Sequence, residues 1–184
     1  MKFDTRDIAL TAAFAALYVI INVLQMFSIG NPTIYGPVQL RVADCLIALA
    51  ALLGWPVVGG VTFGCLLTNA YYFQGAVDVA FGPIANLIAA TTIFLLRKHR
   101  FAACVVGALP IGIIVGGYLS VVFSYSPPEA LNFFPAAFAM IISITISSLI
   151  AIAGIGYTLL VAMSRSNIIE PLKSHGLKVA GDHG

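Results

Sequence analysis

Apolar residues run through this chain in long blocks that few polar positions interrupt. The charged residues leave uncharged windows at 8–40, 46–77, 79–96, 101–128 and 130–164. Each window can hold at least one helix of the roughly 20 apolar residues needed to cross a bilayer about 30 Å thick. Strands of a membrane barrel would alternate apolar and polar residues, whereas 136–142 and 150–155 are unbroken runs without a polar side chain. Gly54-Trp55-Pro56 interrupts the second window, so six helices are expected near 8–29, 39–53, 56–73, 77–96, 101–124 and 131–163. The expected fold is an all-α integral membrane bundle of six transmembrane helices, with 1–164 as one domain. Residues 165–184 would then form a short polar cytoplasmic tail with too little apolar area to fold alone. Asp4 and Asp7 among Lys2 and Arg6, with no small-residue cleavage site after a short apolar core, argue against a cleavable signal.

Composition turns this pattern into a statement about solvent. Of 184 residues, 60% are apolar and 9% charged, against roughly 25% charged in an average soluble domain. The mean hydropathy is +1.02; lipid is the medium this chain suits, and a multi-pass protein of the cell membrane is expected. Eight of the nine Lys and Arg residues lie at the N-terminus (Lys2, Arg6), between the fourth and fifth helices (Arg97, Lys98, Arg100) or after the sixth (Arg165, Lys173, Lys178). Six spans put all eight on one side, which the positive-inside rule makes cytoplasmic, with both termini inside. The net charge of +2 reports topology through its asymmetry, and no nucleic-acid partner is expected.

Cys45, Cys65 and Cys104 are odd in number and form no Cys-x-x-Cys pair, which suits packing. His99, His175 and His183 have no ligand partner at helical spacing, so neither a metal nor a cofactor is expected. Without a Gly-x-x-x-x-Gly-Lys-Ser/Thr loop, energy from ATP would have to come from another subunit.

The remaining charges, Arg41, Asp44, Asp78 and Glu129, all map to the outward half. A charge near the bilayer centre costs about 2.5–3.5 kcal/mol on insertion scales, so these side chains demand partners or water. Arg41 and Asp44, three residues apart on one face, can pair as a structural clamp. Asp78 at a helix start also suits the helix dipole, and Glu129 after Pro127-Pro128 also suits an exposed loop. Gln39, Asn69, Asn86 and Asn132 add amides at similar depth. Tyr71, Tyr72, Phe73, Phe81 and Tyr125 add flat faces, although a membrane-interface belt explains such aromatics equally.

Acids, amides and rings at one mouth suit a small, flat, polar heterocycle. The cytoplasmic halves are almost bare of polar groups, unlike a channel. Gly60-x-x-x-Gly64 and Gly112-x-x-x-Gly116 permit close helix approach, and Ala9, Ala12, Ala13 and Ala16 form a ridge of small residues on the first helix. That ridge serves either internal packing or the docking of another helix.

The stretch Tyr35-Gly36-Pro37-Val38-Gln39-Leu40-Arg41-Val42-Ala43-Asp44, then Gly64-Cys65-Leu66-Leu67-Thr68-Asn69 and Asp78-Val79-Ala80-Phe81-Gly82, resembles the QueT family of membrane proteins over roughly 8–125. The resemblance implies a substrate-binding S component of an energy-coupling factor transporter, taking up a 7-deazaguanine precursor of queuosine or archaeosine. It implies as partners a transmembrane coupling protein and two ATPase subunits. It also implies that the alanine motifs of the first helix dock the coupling protein, and that the loaded protein topples in the membrane to release its cargo inside. The acid after Arg-Val-Ala is Asp44, where the family pattern calls for the longer Glu.

Gln39, Arg41, Asn69, Tyr72, Asp78, Phe81, Asn86 and Glu129 are the expected substrate contacts, a carboxylate accepting side by side from the N1–H and amino group of the base. Competing readings are an S component for another vitamin-like heterocycle, and a membrane-embedded enzyme using Asp44, Asp78 or Glu129 as acid and base. The second lacks any accompanying nucleophile, metal site or phosphate loop. A structural or assembly protein would not need polar side chains gathered at one depth.

Overall fold

A computed structural model describes residues 4–29, 40–121, 131, 135–174 and 179. Every regular element among them is helical. The first helix, α1 (Thr5–Ile29), starts at a reciprocal cap. The Asp4 carboxylate accepts from the backbone N–H groups of Arg6 and Asp7, each at 3.0 Å, and Asp7 accepts from the N–H of Asp4 at 3.1 Å. Two orphan donors of the helix start are thereby satisfied.

The next element is a 3-10 helix (Val42–Leu49) running into a single α-turn, α2 (Ala50–Leu53). Ala43 to Leu53 are all buried, so this short piece is the central element, apolar on every side except at Asp44 because helices surround it. Twelve α-helical residues would rise about 18 Å; drawing most of them into a 3-10 helix lengthens the rise to about 22 Å, still short of the hydrocarbon core. Gly54, at φ 71°, ends the turn in a left-handed conformation that glycine adopts without strain, and Pro56 sits in the first turn of α3 (Trp55–Tyr71).

The remainder comprises α4 (Ala76–Leu95), a 3-10 turn (Arg97–His99), α5 (Arg100–Val121) and a long composite helix. That helix runs as α6 (Ala136–Ser148), a π-helical segment (Leu149–Gly156) and α7 (Tyr157–Met163). Among the described residues, four helices are long and apolar enough to cross a bilayer: Thr5–Ser28, Ala76–Leu95, Arg97–Ser120 and Ala136–Met163. The helices expected near 39–53 and 56–73 are present but shorter. Within the segment expected to be too poor in apolar area to fold alone lies a further helix, α8 (Ser166–Ser174), with Ile169 buried.

Glycines set the helix contacts. A Cβ on Gly60 would lie 2.5 Å from Cβ of Phe14, and one on Gly64 2.7 Å from Cβ of Tyr18, so α1 and α3 run side by side in the same direction. A Cβ on Gly116 would lie 2.6 Å from Cα of Ile141, and one on Gly112 would strike Thr145, which seats α5 antiparallel on α6. Gly156 of the π segment approaches the carbonyl of Cys45, where a Cβ would come within 2.6 Å.

At one end of the bundle Trp55 packs on Phe94, with ring centroids 5.2 Å apart. The Arg100 guanidinium donates to Ser164 Oγ at 2.8 Å. The starts of α1, α3 and α5 and the ends of α4 and α7 therefore gather there, carrying Arg6, Arg97, Lys98, Arg100 and Arg165.

Candidate functional site

Toward the other end, polar side chains from α1, the central helix, α3, α4, α5 and α6 meet in the protein interior. Asp44, 2% exposed, is the one polar side chain on the central helix between Val42 and Leu53, and its carboxylate has to be satisfied from elsewhere. The phenol of Tyr18 on α1 donates to Asp44 Oδ1 at 2.7 Å and accepts from the Asn86 side-chain amide on α4 at 3.0 Å. Gly64 makes room for the Tyr18 ring against α3.

A second carboxylate, Asp78 at the start of α4, is 3% exposed and accepts at Oδ1 from the phenol of Tyr118 on α5 at 2.6 Å. Arg41 directs its guanidinium to Asn69 Oδ1 at 2.9 Å and Cys65 Sγ at 3.7 Å. Asn69 in turn donates to the backbone carbonyl of Asp78 at 3.0 Å, through space that a Cβ on Gly82 would fill. Gln25 on α1 fixes the entry to the 3-10 helix, accepting from the N–H of Val42 at 3.0 Å and donating to the carbonyl of Leu40.

These groups border a cavity of ≈ 20 Å³ lined by Arg41, Asp44, Asp78, Ile111, Val115, Ile144, Ser147 and Ser148. Its volume suits about one water molecule. One wall is charged and comes from the central helix and α4; the opposite wall, from α5 and α6, is branched aliphatic with two serine hydroxyls. The Ser147 hydroxyl donates back to the carbonyl of Ile144 at 2.9 Å. Ser148 closes α6 where the π segment begins.

The sequence-predicted residues separate into distinct layers. Arg41 and Asp78 line the cavity; Asn69 and Asn86 stand one layer back and hold Arg41 and Tyr18. Tyr72 ends α3 in edge contact with Tyr71, ring centroids 4.8 Å apart, and does not line the cavity. Phe81 is half exposed and borders a separate apolar groove with Val77, Ile84, Ile114 and Tyr118. Aliphatic side chains, not rings, therefore provide the flat faces of the polar cavity. Gln39 and Glu129 lie outside the described residues.

The Arg41–Asp44 clamp is replaced by separate hydrogen bonds to Asn69, Cys65 and Tyr18, with both charges facing one space. Asp44, Tyr18, Tyr118, Ser147 and Ser148 were not among the expected contacts. A signal for Tyr18 does exist: Asp7, Thr11, Tyr18, Asn22 and Gln25 recur every three, four or seven residues, one polar face of α1 that lipid would drive inward. Among the described residues no group of His, Cys, Asp and Glu could hold a metal ion.

The ridge of Ala9, Ala12, Ala13 and Ala16 is exposed, and at 100° per residue Ala9 and Ala16 point nearly opposite the buried Tyr18. The bundle's own core does not use it.

No curated protein and no solved structure matches this chain significantly. A family model does, across 8–165, taking in the central helix, the charged cavity wall, the serine-bearing helix and the exposed alanine ridge alike; the chain belongs to the QueT transporter family.

Proposed function

We propose that this protein is the substrate-binding S component of an energy-coupling factor transporter in the cell membrane, and that it captures a 7-deazaguanine precursor of queuosine or archaeosine. The observation that carries this reading is the buried cavity where Arg41, Asp44 and Asp78 face Ile111, Val115 and Ile144. A carboxylate there can accept from two adjacent N–H donors of the base, Arg41 can donate to its carbonyl oxygen, and the aliphatic side chains can flank its ring. A base is several times larger than ≈ 20 Å³, so on this reading binding parts the α5–α6 wall from the charged wall.

The proposed arrangement in the membrane is six-pass with both termini cytoplasmic. The gathering of Arg6, Arg97, Lys98, Arg100 and Arg165 at one end supports it, since basic residues favour the cytoplasmic side. In this arrangement Val42–Leu53 is buried within the bundle, where a helix shorter than the bilayer is tolerated, while Trp55–Tyr71 turns Phe63, Leu66 and Leu67 outward. A coupling protein and two ATPase subunits would supply energy, docking on the alanine ridge, which is free to accept another helix closely.

The test is mass spectrometry of the small molecule that co-purifies with the protein from cells supplied with 7-deazaguanines. A 7-deazaguanine in stoichiometric amount is expected. A different vitamin-like heterocycle would replace the ligand assignment while leaving an S component; uptake unaffected by loss of the ATPase subunits would remove the transporter assignment.

A further inference from the structure

The basic end of the bundle is more organised than membrane orientation alone requires. Arg100, at the start of α5, sends its guanidinium across to the end of α7, where it donates to Ser164 Oγ at 2.8 Å. Arg165 follows Ser164 directly, at the corner where the chain passes from α7 into α8, so two arginines stand together there. Both are exposed, and among the described residues neither has a carboxylate partner. A guanidinium carries five N–H donors in a planar fork, and one bond to a serine hydroxyl leaves most of them open. Of the carboxylates described at this end, Asp4 and Asp7 are engaged at the start of α1 and Glu170 sits on α8.

An independent feature adjoins the two arginines. Phe101, the next residue of α5, is 55% exposed and packs edge-on against Tyr157 of α7, with ring centroids 5.2 Å apart. Tyr157, Val161 and Arg165 follow one another at four-residue spacing, the spacing of one helix face, and Val161 is exposed. An apolar strip open to lipid therefore leads up to a pair of positive charges.

The depth of the corner suits that layout. At the same end Trp55 packs on Phe94, and the Arg97 guanidinium lies 4.6 Å from the centre of the Phe94 ring. Tryptophan beside basic side chains marks the level where hydrocarbon gives way to headgroups. An acidic patch on a soluble protein would match the arginines and leave the apolar strip unmatched; a phospholipid of negative charge matches both.

We propose that the corner where α5 begins and α7 ends is a binding site for an anionic phospholipid, with Arg100 and Arg165 on its phosphate and an acyl chain along Phe101, Tyr157 and Val161. The phosphate offsets two like charges held close together, and Arg presents the bidentate geometry that phosphate oxygens accept. This site is separate from the polar cavity and does not depend on which molecule that cavity takes.

The experiment is native mass spectrometry of the purified full-length protein in a neutral detergent, titrated with phosphatidylglycerol or with phosphatidylcholine of the same acyl chains. Phosphatidylglycerol is expected to bind at least tenfold more tightly. In Arg100→Gln/Arg165→Gln, checked for folding by its melting temperature, this preference should fall about tenfold or more. Arg165→Gln alone breaks no side-chain hydrogen bond among the described residues and should lower it about fivefold, which decides the matter if the double variant does not fold. Lys2→Gln/Lys178→Gln removes the same charge elsewhere and should leave the preference within about twofold of the parent.

Equal binding of the two lipids by the parent would overturn the site. An equal loss in the Lys2 and Lys178 pair would also overturn it, by reducing the effect to diffuse attraction toward a basic surface. Displacement of phosphatidylglycerol by inorganic phosphate at constant ionic strength would overturn the lipid as occupant, since a free anion would then suffice. Capture of the ATPase subunits that depends on Arg100 and Arg165, with no lipid preference, would overturn it in favour of an acidic partner protein.

Discussion

A phenol that donates to a buried carboxyl group fixes its position, and this protein uses that arrangement twice. Tyr18 fixes Asp44 and Tyr118 fixes Asp78, each through Oδ1, which leaves Oδ2 of each available to a ligand. A hydrogen bond to a charged group is typically worth about 1.5–3 kcal/mol. Tyr18→Phe should therefore weaken ligand binding by about tenfold or more, because Asp44 loses its orientation and Asn86 its acceptor. Calorimetry checks this, and unchanged affinity would show that Asp44 needs no positioning. Gly82→Ala tests the neighbouring layer, since the added methyl collides with Asn69 and so reaches Arg41 without touching the cavity. A several-fold rise in dissociation constant with the fold retained is expected.

At this scale the sequence exposed the charges but not their partners. Arg41, Asp44 and Asp78 stand out because charge is rare in the spans. Tyr18 and Tyr118 do not, because a tyrosine in an apolar run reads the same whether it anchors an interface or holds a buried acid. Serines 147 and 148 are equally quiet, since a hydroxyl in a membrane helix can satisfy itself on its own backbone.

The helices divide between those whose contacts are closed and the one that presents an open face. Gly60, Gly64, Gly112 and Gly116 are filled against neighbouring helices, so Gly116→Leu should push α5 off α6 and lower the melting temperature by several degrees. Small-to-large changes in such close contacts cost about 1–3 kcal/mol. The ridge of α1 differs. Replacing Ala9 and Ala13 by Trp should abolish uptake and co-purification with the ATPase subunits while ligand binding by the isolated protein stays within a few-fold of the parent. A collapse of binding along with uptake would return the ridge to the protein's own packing.

Helix positions were legible from apolar windows and from Gly54-Trp55-Pro56. The 3-10 character of Val42–Leu49 and the π character of Leu149–Gly156 were not. Those departures answer to tertiary contact, the one stretching a short central helix and the other bringing Gly156 against the carbonyl of Cys45. π segments are often found at functional sites, and this one begins at the cavity wall.

For the whole molecule, polarity and charge are arranged along one axis. Basic residues collect at one end and the acidic cavity lies toward the other. Single-cysteine labelling at positions 34, 99 and 175 should show 34 reactive from outside and 99 and 175 from inside; outside labelling at 99 or 175 contradicts the six-pass arrangement.

On the proposed function the polar cavity, not the apolar groove beside it, holds the substrate. Asp78 lines the first and Phe81 the second. The most direct test is the dissociation constant of a 7-deazaguanine for the purified protein, compared among the parent, Asp78→Asn and Phe81→Ala. At least a tenfold loss is expected for Asp78→Asn, the equivalent of about 1.4 kcal/mol, and a value within about threefold of the parent for Phe81→Ala. Parent-like binding by Asp78→Asn, or an equal loss in Phe81→Ala, would contradict it.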